Sequence, residues 1–307
     1  MKDMSYEKFC ERMKDIVQQY YGVEANVKLQ TVQKVNGVVL HGITVMKEDR
    51  SIMPTLYLEY YYDIYNRGTA LHDVVHQFVL EYDKACIYDD FDISFFEYYE
   101  KVKPHLGYKL INYEMNRELL KEIPHKCYLD LAIVCYCNIV DDRIGKGTIL
   151  IRNEHLDIWK VEKDIIIRDS LKNMPSLFPA DVINMADLLK ELYDDPAQLI
   201  CGKLPMYVLT TKARMYGAAA ILYSGQLEAI AREVEDDFYL LPSSIHEIII
   251  LPKKYATDEE HLSQMVDEIN HEQLDIEEVL SNHAYLYSSL TKEITSLPLI
   301  PCKSGIN

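Results

Sequence analysis

A chain of 307 residues with one tryptophan and no run of about 18 uncharged apolar residues has nothing with which to cross a membrane as a helix. Its opening residues, Met1 to Lys8, also lack the apolar stretch of a secretory signal. Both absences point to the cytoplasm. Cations are scarce: 32 Lys and Arg stand against 49 Asp and Glu, giving a formal net charge of −17. That field repels phosphate backbones and anionic lipid, so no direct nucleic-acid binding and no membrane partner are expected. The acids fall in short clusters such as Glu233 to Asp237, which read as solvated helix ends. Their sharper reading is an acidic protein that inhibits a nucleic-acid-binding partner.

No pair among the seven cysteines is spaced C-x-x-C, and the odd, scattered set reads as reduced thiols rather than a disulfide framework. A glycine-rich crossover turn is missing too. Gly145-Lys-Gly-Thr148 has the wrong residues around its lysine for a phosphate loop, since Val140 and Gly147 stand where glycine and Ser or Thr are needed. No cofactor is expected on these grounds.

What is present is an ordinary globular balance, 49% hydrophobic and 26% charged, with an excess of tyrosine, 24 against 7 Phe. Ser5 caps a helix to about Tyr20 with Phe9, Met13, Ile16, Val17 and Tyr20 on one face. Two strands, 25–34 and 38–46, flank Asn36-Gly37, the signature of a type I′ hairpin. Leu56 to Tyr62 reads as strand passing into a turn, and a helix follows to about Tyr82. The middle third reads as a helix from Lys109 to Glu122, a strand from Tyr128 to Val140, and helices over 161–173 and 181–193. Towards the end, strands at 206–210 and 218–223 flank a polar loop and precede a helix at 226–234. Strands at 238–241 and 245–251 are split by Pro242-Ser-Ser244. Thr257 and Glu260 form a capping box for a helix burying Leu262, Met265, Val266 and Ile269, and a short strand lies at 284–287. Hairpins alternating with packed helices give an α+β fold of mixed or antiparallel sheets, in two subdomains: 1–195, 196–288, and a loose tail at 289–307.

Several phrases together carry a resemblance: Tyr57-Leu-Glu-Tyr-Tyr-Tyr62, Leu110-Ile-Asn112 with Asn116, Leu129-Asp-Leu-Ala132, Ile149-Leu-Ile-Arg-Asn153 before Trp159, and Asn173 to Pro179. Val208 to Thr210 with Gly217 to Ala219, and Leu241 to Glu247, complete the set. The combination resembles an uncharacterised domain-of-unknown-function family, DUF5688-like, of Gram-positive gut bacteria. The resemblance spans the chain to about residue 288 and implies no catalytic residue, substrate or cofactor.

Four constellations could carry chemistry. His72-Asp-Val-Val-His76 sets two histidines at i, i+4, as zinc proteases do, but with Asp73 for glutamate, both rings on the polar side, and no third ligand in view. Surface histidines are the preferred reading. Ser243-Ser-Ile-His-Glu247 offers Ser244 and His246 as a hydrolase pair, with Glu247 a doubtful third member because alternation sends it to the other face. A turn whose hydroxyls satisfy backbone groups is the favoured alternative. Thr210 to Tyr216 is a polar loop in which Thr210, Lys212, Arg214 and Tyr216, with Ser243, are candidate binding residues for a carboxylate or phosphate group. Cys127, Cys135 and Cys137 could hold a metal, although the latter two read as small buried hydrophobes. The leading reading is a non-catalytic binding or regulatory module, with a protein as the possible partner; a hydrolase stands second.

Overall fold

Ser5 opens the first helix as its spacing predicts: its Oγ accepts the Lys8 N–H at 3.4 Å, and α1 runs Tyr6–Tyr21. Phe9, Cys10, Met13 and Val17 form the buried stripe, while Tyr20 is 62% exposed and falls outside it. Strands β1 (Asn26–Gln33) and β2 (Val39–Met46) pair antiparallel across a tight turn. There the Val38 N–H donates to Val35 O, with φ +58° at Asn36 and +73° at Gly37. Two consecutive positive φ values are what a type I′ turn demands and what Asn-Gly supplies. Strand β3 (Thr55–Tyr57) adds to β2. The chain then enters a helix, α2 (Glu59–Asn66), where the sequence suggested a turn. Helix α3 (Leu71–Ala85) buries Val74, Val75, Phe78, Val79 and Tyr82, and the Tyr82 hydroxyl accepts the Val45 N–H at 2.7 Å.

The computed structural model describes residues 4–46, 53–86, 93–141, 145–192, 206–256, 258–259 and 261–298. The chain packs as two compact units, Met1–Ile93 with Val140–Gly145, and Ser94–Ile139 with Lys146–Asn307. The boundary expected near residue 195 lies outside the described residues, as do Thr257 and Glu260 of the expected capping box.

After the first unit's helices come α4 (Tyr99–Val102), β4 (Leu106–Asn112), α5 (Leu119–Glu122), β5 (His125–Tyr128), β6 (Leu131–Asp141) and β7 (Gly145–Leu150), which belong to the second unit except for the facing ends of β6 and β7 within 140–145. These strands form one sheet of order β4-β6-β5, with β7 also on β6. The expected helix from Lys109 is therefore wrong: its first residues are strand, paired from Leu106↔Cys137 to Asn112↔Leu131. The reason is burial on both faces. Leu106, Tyr108 and Leu110 on one face and Ile111 on the other are at most 1% exposed, with Lys109 half-buried between them, so the apolar residues do not alternate cleanly with polar ones. The long strand expected from Tyr128 is interrupted by Leu129, at φ +55°, where β5 turns into β6.

Next come α6 (Asn153–Trp159), α7 (Lys163–Leu177), β8 (Ala180–Asn184), α8 (Met185–Leu192), β9 (Tyr207–Thr211) and α9 (Gln226–Val234). The chain finishes with β10 (Phe238–Ser244), β11 (Glu247–Pro252), α10 (Leu262–Gln273), β12 (Tyr285–Ser288) and β13 (Glu293–Ser296). The second sheet has the order β13-β12-β10-β11-β9-β8, and its pairings are antiparallel. The fold is α+β. Four details differ from expectation. Residues 180–184 are strand rather than helix, Gly217–Leu222 is a 3-10 helix rather than strand, and β13 lies in the span expected to be loose. Helix α10 is also rotated: Leu262, Ser263, Val266 and Asn270 are buried, whereas Met265 and Ile269 are each 41% exposed. Two polar side chains take the inner face because the backbone needs them. Ser263 Oγ accepts the Ala284 N–H at 3.0 Å, and Asn270 Nδ2 donates to Ser281 O at 2.9 Å. Among the described residues, no helix is long and apolar enough to cross a membrane.

Candidate functional site

The β10–β11 hairpin closes on the pair Ser244↔Glu247, so Ile245 and His246 form its two-residue turn and Pro242-Ser-Ser244 belongs to the strand. Ser244 Oγ accepts the His246 backbone N–H at 3.0 Å, a side-chain turn that a short hydroxyl makes readily. The Ile245 N–H donates to Glu278 O at 3.0 Å, which ties a 3-10 turn, Ile276–Glu278, to the hairpin tip. Glu278 is thereby carried to the imidazole, its Oε1 4.0 Å from His246 Nε2.

The other side of the ring is set by β9 and the turn after it. Arg214 and Tyr216 adopt φ +55° and +51°, and Thr211 Oγ1 donates to Met215 O at 3.0 Å to close that turn. The Tyr216 N–H then points at the imidazole and donates to His246 Nδ1 at 3.1 Å. A ring nitrogen that accepts carries no proton, so the neutral ring holds its proton on Nε2, facing Glu278. The Tyr216 ring stacks on the imidazole at 5.6 Å and 12°. Tyr136 tilts against Tyr216 at 5.1 Å, and Lys109 Nζ lies 4.8 Å from the Tyr216 ring centre. Burial pushes the His246 imidazolium pKa below the ordinary histidine value and Lys109 pushes the same way, against the pull of Glu278. Protonation of Nδ1 would also cost the bond from Tyr216.

Gly217 makes the arrangement sterically possible. A Cβ there would lie 2.3 Å from His246 O and 2.4 Å from Thr210 Oγ1. The backbone of β9 and the hairpin tip approach that closely because Thr210 Oγ1 donates to His246 O at 2.9 Å.

Of the residues singled out in sequence, the structure brings Thr210, Tyr216, Ser244 and His246 together. It does not join Ser244 to the imidazole, and Glu247 instead accepts from Ser243 Oγ at 3.2 Å. Lys212 and Arg214 are exposed on the β9 turn, Arg214 Nη2 standing 3.9 Å from Asp181 Oδ2. His72 and His76 are both exposed on α3, with His72 Nδ1 3.3 Å from Asp73 Oδ1. Cys135 and Cys137 are fully buried and Cys127 is exposed. Among the described residues, no three His, Cys, Asp or Glu side chains are grouped to hold a metal ion. Lys109, Tyr136 and Glu278 escaped notice in the sequence; they come from distant segments, and nothing local marked them.

The remaining phrases of the resemblance build the frame around this surface. Asp130 accepts from Ser281 Oγ at 2.6 Å and from the Tyr285 hydroxyl at 2.7 Å. Asn112 Nδ2 donates to Leu280 O, and the Tyr223 hydroxyl donates to Phe178 O. An antiparallel α+β scaffold with its histidine locked by a backbone amide defines a class by architecture rather than by reaction. The chain belongs to the Family of unknown function (DUF5688), whose model it matches over residues 6–289. No curated protein and no solved structure matches it.

Proposed function

We propose that this chain is a non-catalytic binding or regulatory module that meets a protein partner through the surface of Lys109, Tyr216, His246 and Glu278. The engagement of the imidazole carries the reading. Its Nδ1 accepts from Tyr216 and its Nε2 faces Glu278, while the hydroxyls of Ser244 and Thr210 bond the His246 backbone instead of the ring. A general base needs a nitrogen directed at a nucleophile, and among the described residues no hydroxyl or thiol is bonded to either ring nitrogen. An aromatic pair flanked by a cation and a carboxylate suits recognition, in which rigid tyrosine rings supply contact area at small entropic cost.

The test is a screen of the full chain against esterase, phosphatase and peptidase substrates beside Ser244→Ala. Wild type is expected to give no turnover above buffer. Ser244→Ala is expected to lose about 1–3 kcal/mol of stability, because the His246 N–H is left without its acceptor. Turnover by wild type that disappears in Ser244→Ala at an unchanged melting temperature would reverse the conclusion and make the chain a hydrolase.

A further inference from the structure

A cleft of about 640 Å³ opens between the edge strand β5 and the first half of α7, within the second unit. Its position on the helix is regular: Lys163, Asp164, Ile167, Arg168 and Leu171 recur on one face, and β5 lines the other side with His125, Lys126 and Cys127. Lys126, Lys163 and Arg168 meet Asp164 there, and Asp169, paired with both Arg168 and Lys103, cancels one further cation, which leaves a local excess of two positive charges on a chain whose net charge is −17. Such a concentration runs against the whole-molecule field. The apolar part of the lining, Ile167 and Leu171, lies on the same helix face.

One of the cations is held in place from below. Asp169 is 4% exposed, and its Oδ1 receives Arg168 Nε at 3.0 Å and Nη2 at 2.9 Å. Its Oδ2 takes the Tyr99 hydroxyl at 2.8 Å and lies 3.3 Å from Lys103 Nζ. Burial alone would raise the Asp169 pKa; the bonds from Tyr99, Arg168 and Lys103 outweigh it and keep the carboxyl below its usual range. Arg168 is thus gripped along one edge of its fork while its side chain remains 67% exposed, with the opposite edge available to a ligand.

We propose that this cleft binds a small phosphate monoester, with Lys126, Lys163 and Arg168 around the phosphate and Ile167 and Leu171 under the organic group. A phosphate monoester carries a charge of about −1.5 to −2 near neutrality, which matches the local excess; a monocarboxylate does not. The volume suits a small molecule, since ligand pockets span roughly 300–1,000 Å³. A nucleic-acid strand would meet the repulsive field outside the cleft. Asp169 is a positioning residue here, acting through Arg168.

Phenyl phosphate is the probe, titrated calorimetrically into the full chain, with inorganic phosphate and benzoate as comparisons. Saturable binding is expected, tighter for phenyl phosphate than for inorganic phosphate and absent for benzoate. Lys163→Ala, at an exposed helix position, should weaken it by about tenfold or more, the scale of one charge-assisted bond; Arg168→Ala should do the same, and it is read beside its melting temperature because it also removes two bonds to the buried Asp169. Arg168→Lys should recover little of it, because an ammonium lacks the fork. A second readout lies at the rim, where Cys127 is the exposed thiol among the described cysteines. Phenyl phosphate should slow its alkylation by iodoacetamide, followed by peptide mass spectrometry. Equal binding of benzoate, undiminished binding by both alanine variants, no saturation below about 10 mM, or binding without protection of Cys127 would each overturn the assignment.

Discussion

Replacing Gly217 by alanine puts one methyl group where the structure has no room for it. The added Cβ would stand 2.3 Å from His246 O, 2.4 Å from Thr210 Oγ1 and 2.5 Å from Thr210 Cα. Ordinary carbon contacts need about 3.5–4.0 Å, so a shift of roughly 1 Å is required. Two of the three obstacles are backbone atoms, which no rotamer change can clear. Either the end of β9 or the hairpin tip must withdraw, and both movements pull apart the Thr210–His246 bond and strain the Tyr216 amide bond to Nδ1. Overpacking of this kind costs about 1–3 kcal/mol, and each lost hydrogen bond adds about 0.5–1.5 kcal/mol. The expected total is about 2–5 kcal/mol, or a fall in melting temperature of about 5–15 °C for a unit of this size. Trp159, the sole tryptophan, is 8% exposed and lies in the same unit, so its fluorescence reports this transition. Gly147→Ala is the control, because a Cβ there meets nothing within 4 Å. If Gly217→Ala melts within about 1 °C of wild type while Gly147→Ala does the same, the close approach of β9 to the hairpin is refuted.

Acidification should weaken the second unit through His246. Its folded pKa lies below the unfolded value, so the unfolded chain binds the proton more readily; stability is full above the ordinary histidine value and falls as pH drops through it. Melts of wild type and His246→Ala between pH 8 and pH 5 should converge towards the acid end, and parallel curves would show that the ring is not held neutral. Asp130→Ala should remove the carboxylate acceptor of the buried Ser281 and Tyr285 hydroxyls, leaving Ser281 only a long contact to His283 O, and cost about 2–5 kcal/mol by urea denaturation, with Asp130→Asn costing less. A loss below about 1 kcal/mol in Asp130→Ala would mean that water replaces the carboxylate.

Where a segment buries one face, its sequence was readable: α1, the Asn36-Gly37 hairpin, α3 and α9 all lie where spacing and turn chemistry put them. The failures share a cause. Leu106 to Ile111 has buried residues on both faces and one polar position, Lys109, while Ala218 to Ala220 is buried completely, so neither shows a regular spacing of polar residues that reveals a period. On α10 the inner face carries Ser263 and Asn270, polar residues that a hydrophobic stripe cannot announce. The site was half legible for a related reason. The Ser-Ser-Ile-His-Glu string marked the hairpin tip, but the protonation pattern of His246 is decided by the backbone amide of Tyr216, thirty residues away, and by Glu278 on a separate turn.

The same geometry explains why the family resemblance identifies an architecture without a reaction. Several of its polar residues bond to other parts of the chain. Asp130 joins the β5–β6 turn to Ser281 and Tyr285, over a hundred residues later, and Asn112 reaches Leu280 in the same stretch. Thr210 and Gly217 fit β9 to the hairpin tip. Residues under that kind of steric and hydrogen-bonding demand are distinctive because few substitutes fit, whatever the surface above them does. Among the described residues, Lys126 and Lys163 show no comparable internal bond, whereas Asp169 grips Arg168. Their convergence on one cleft in an acidic protein is therefore better accounted for by a ligand than by the fold, and the alkylation of Cys127 separates those two causes directly.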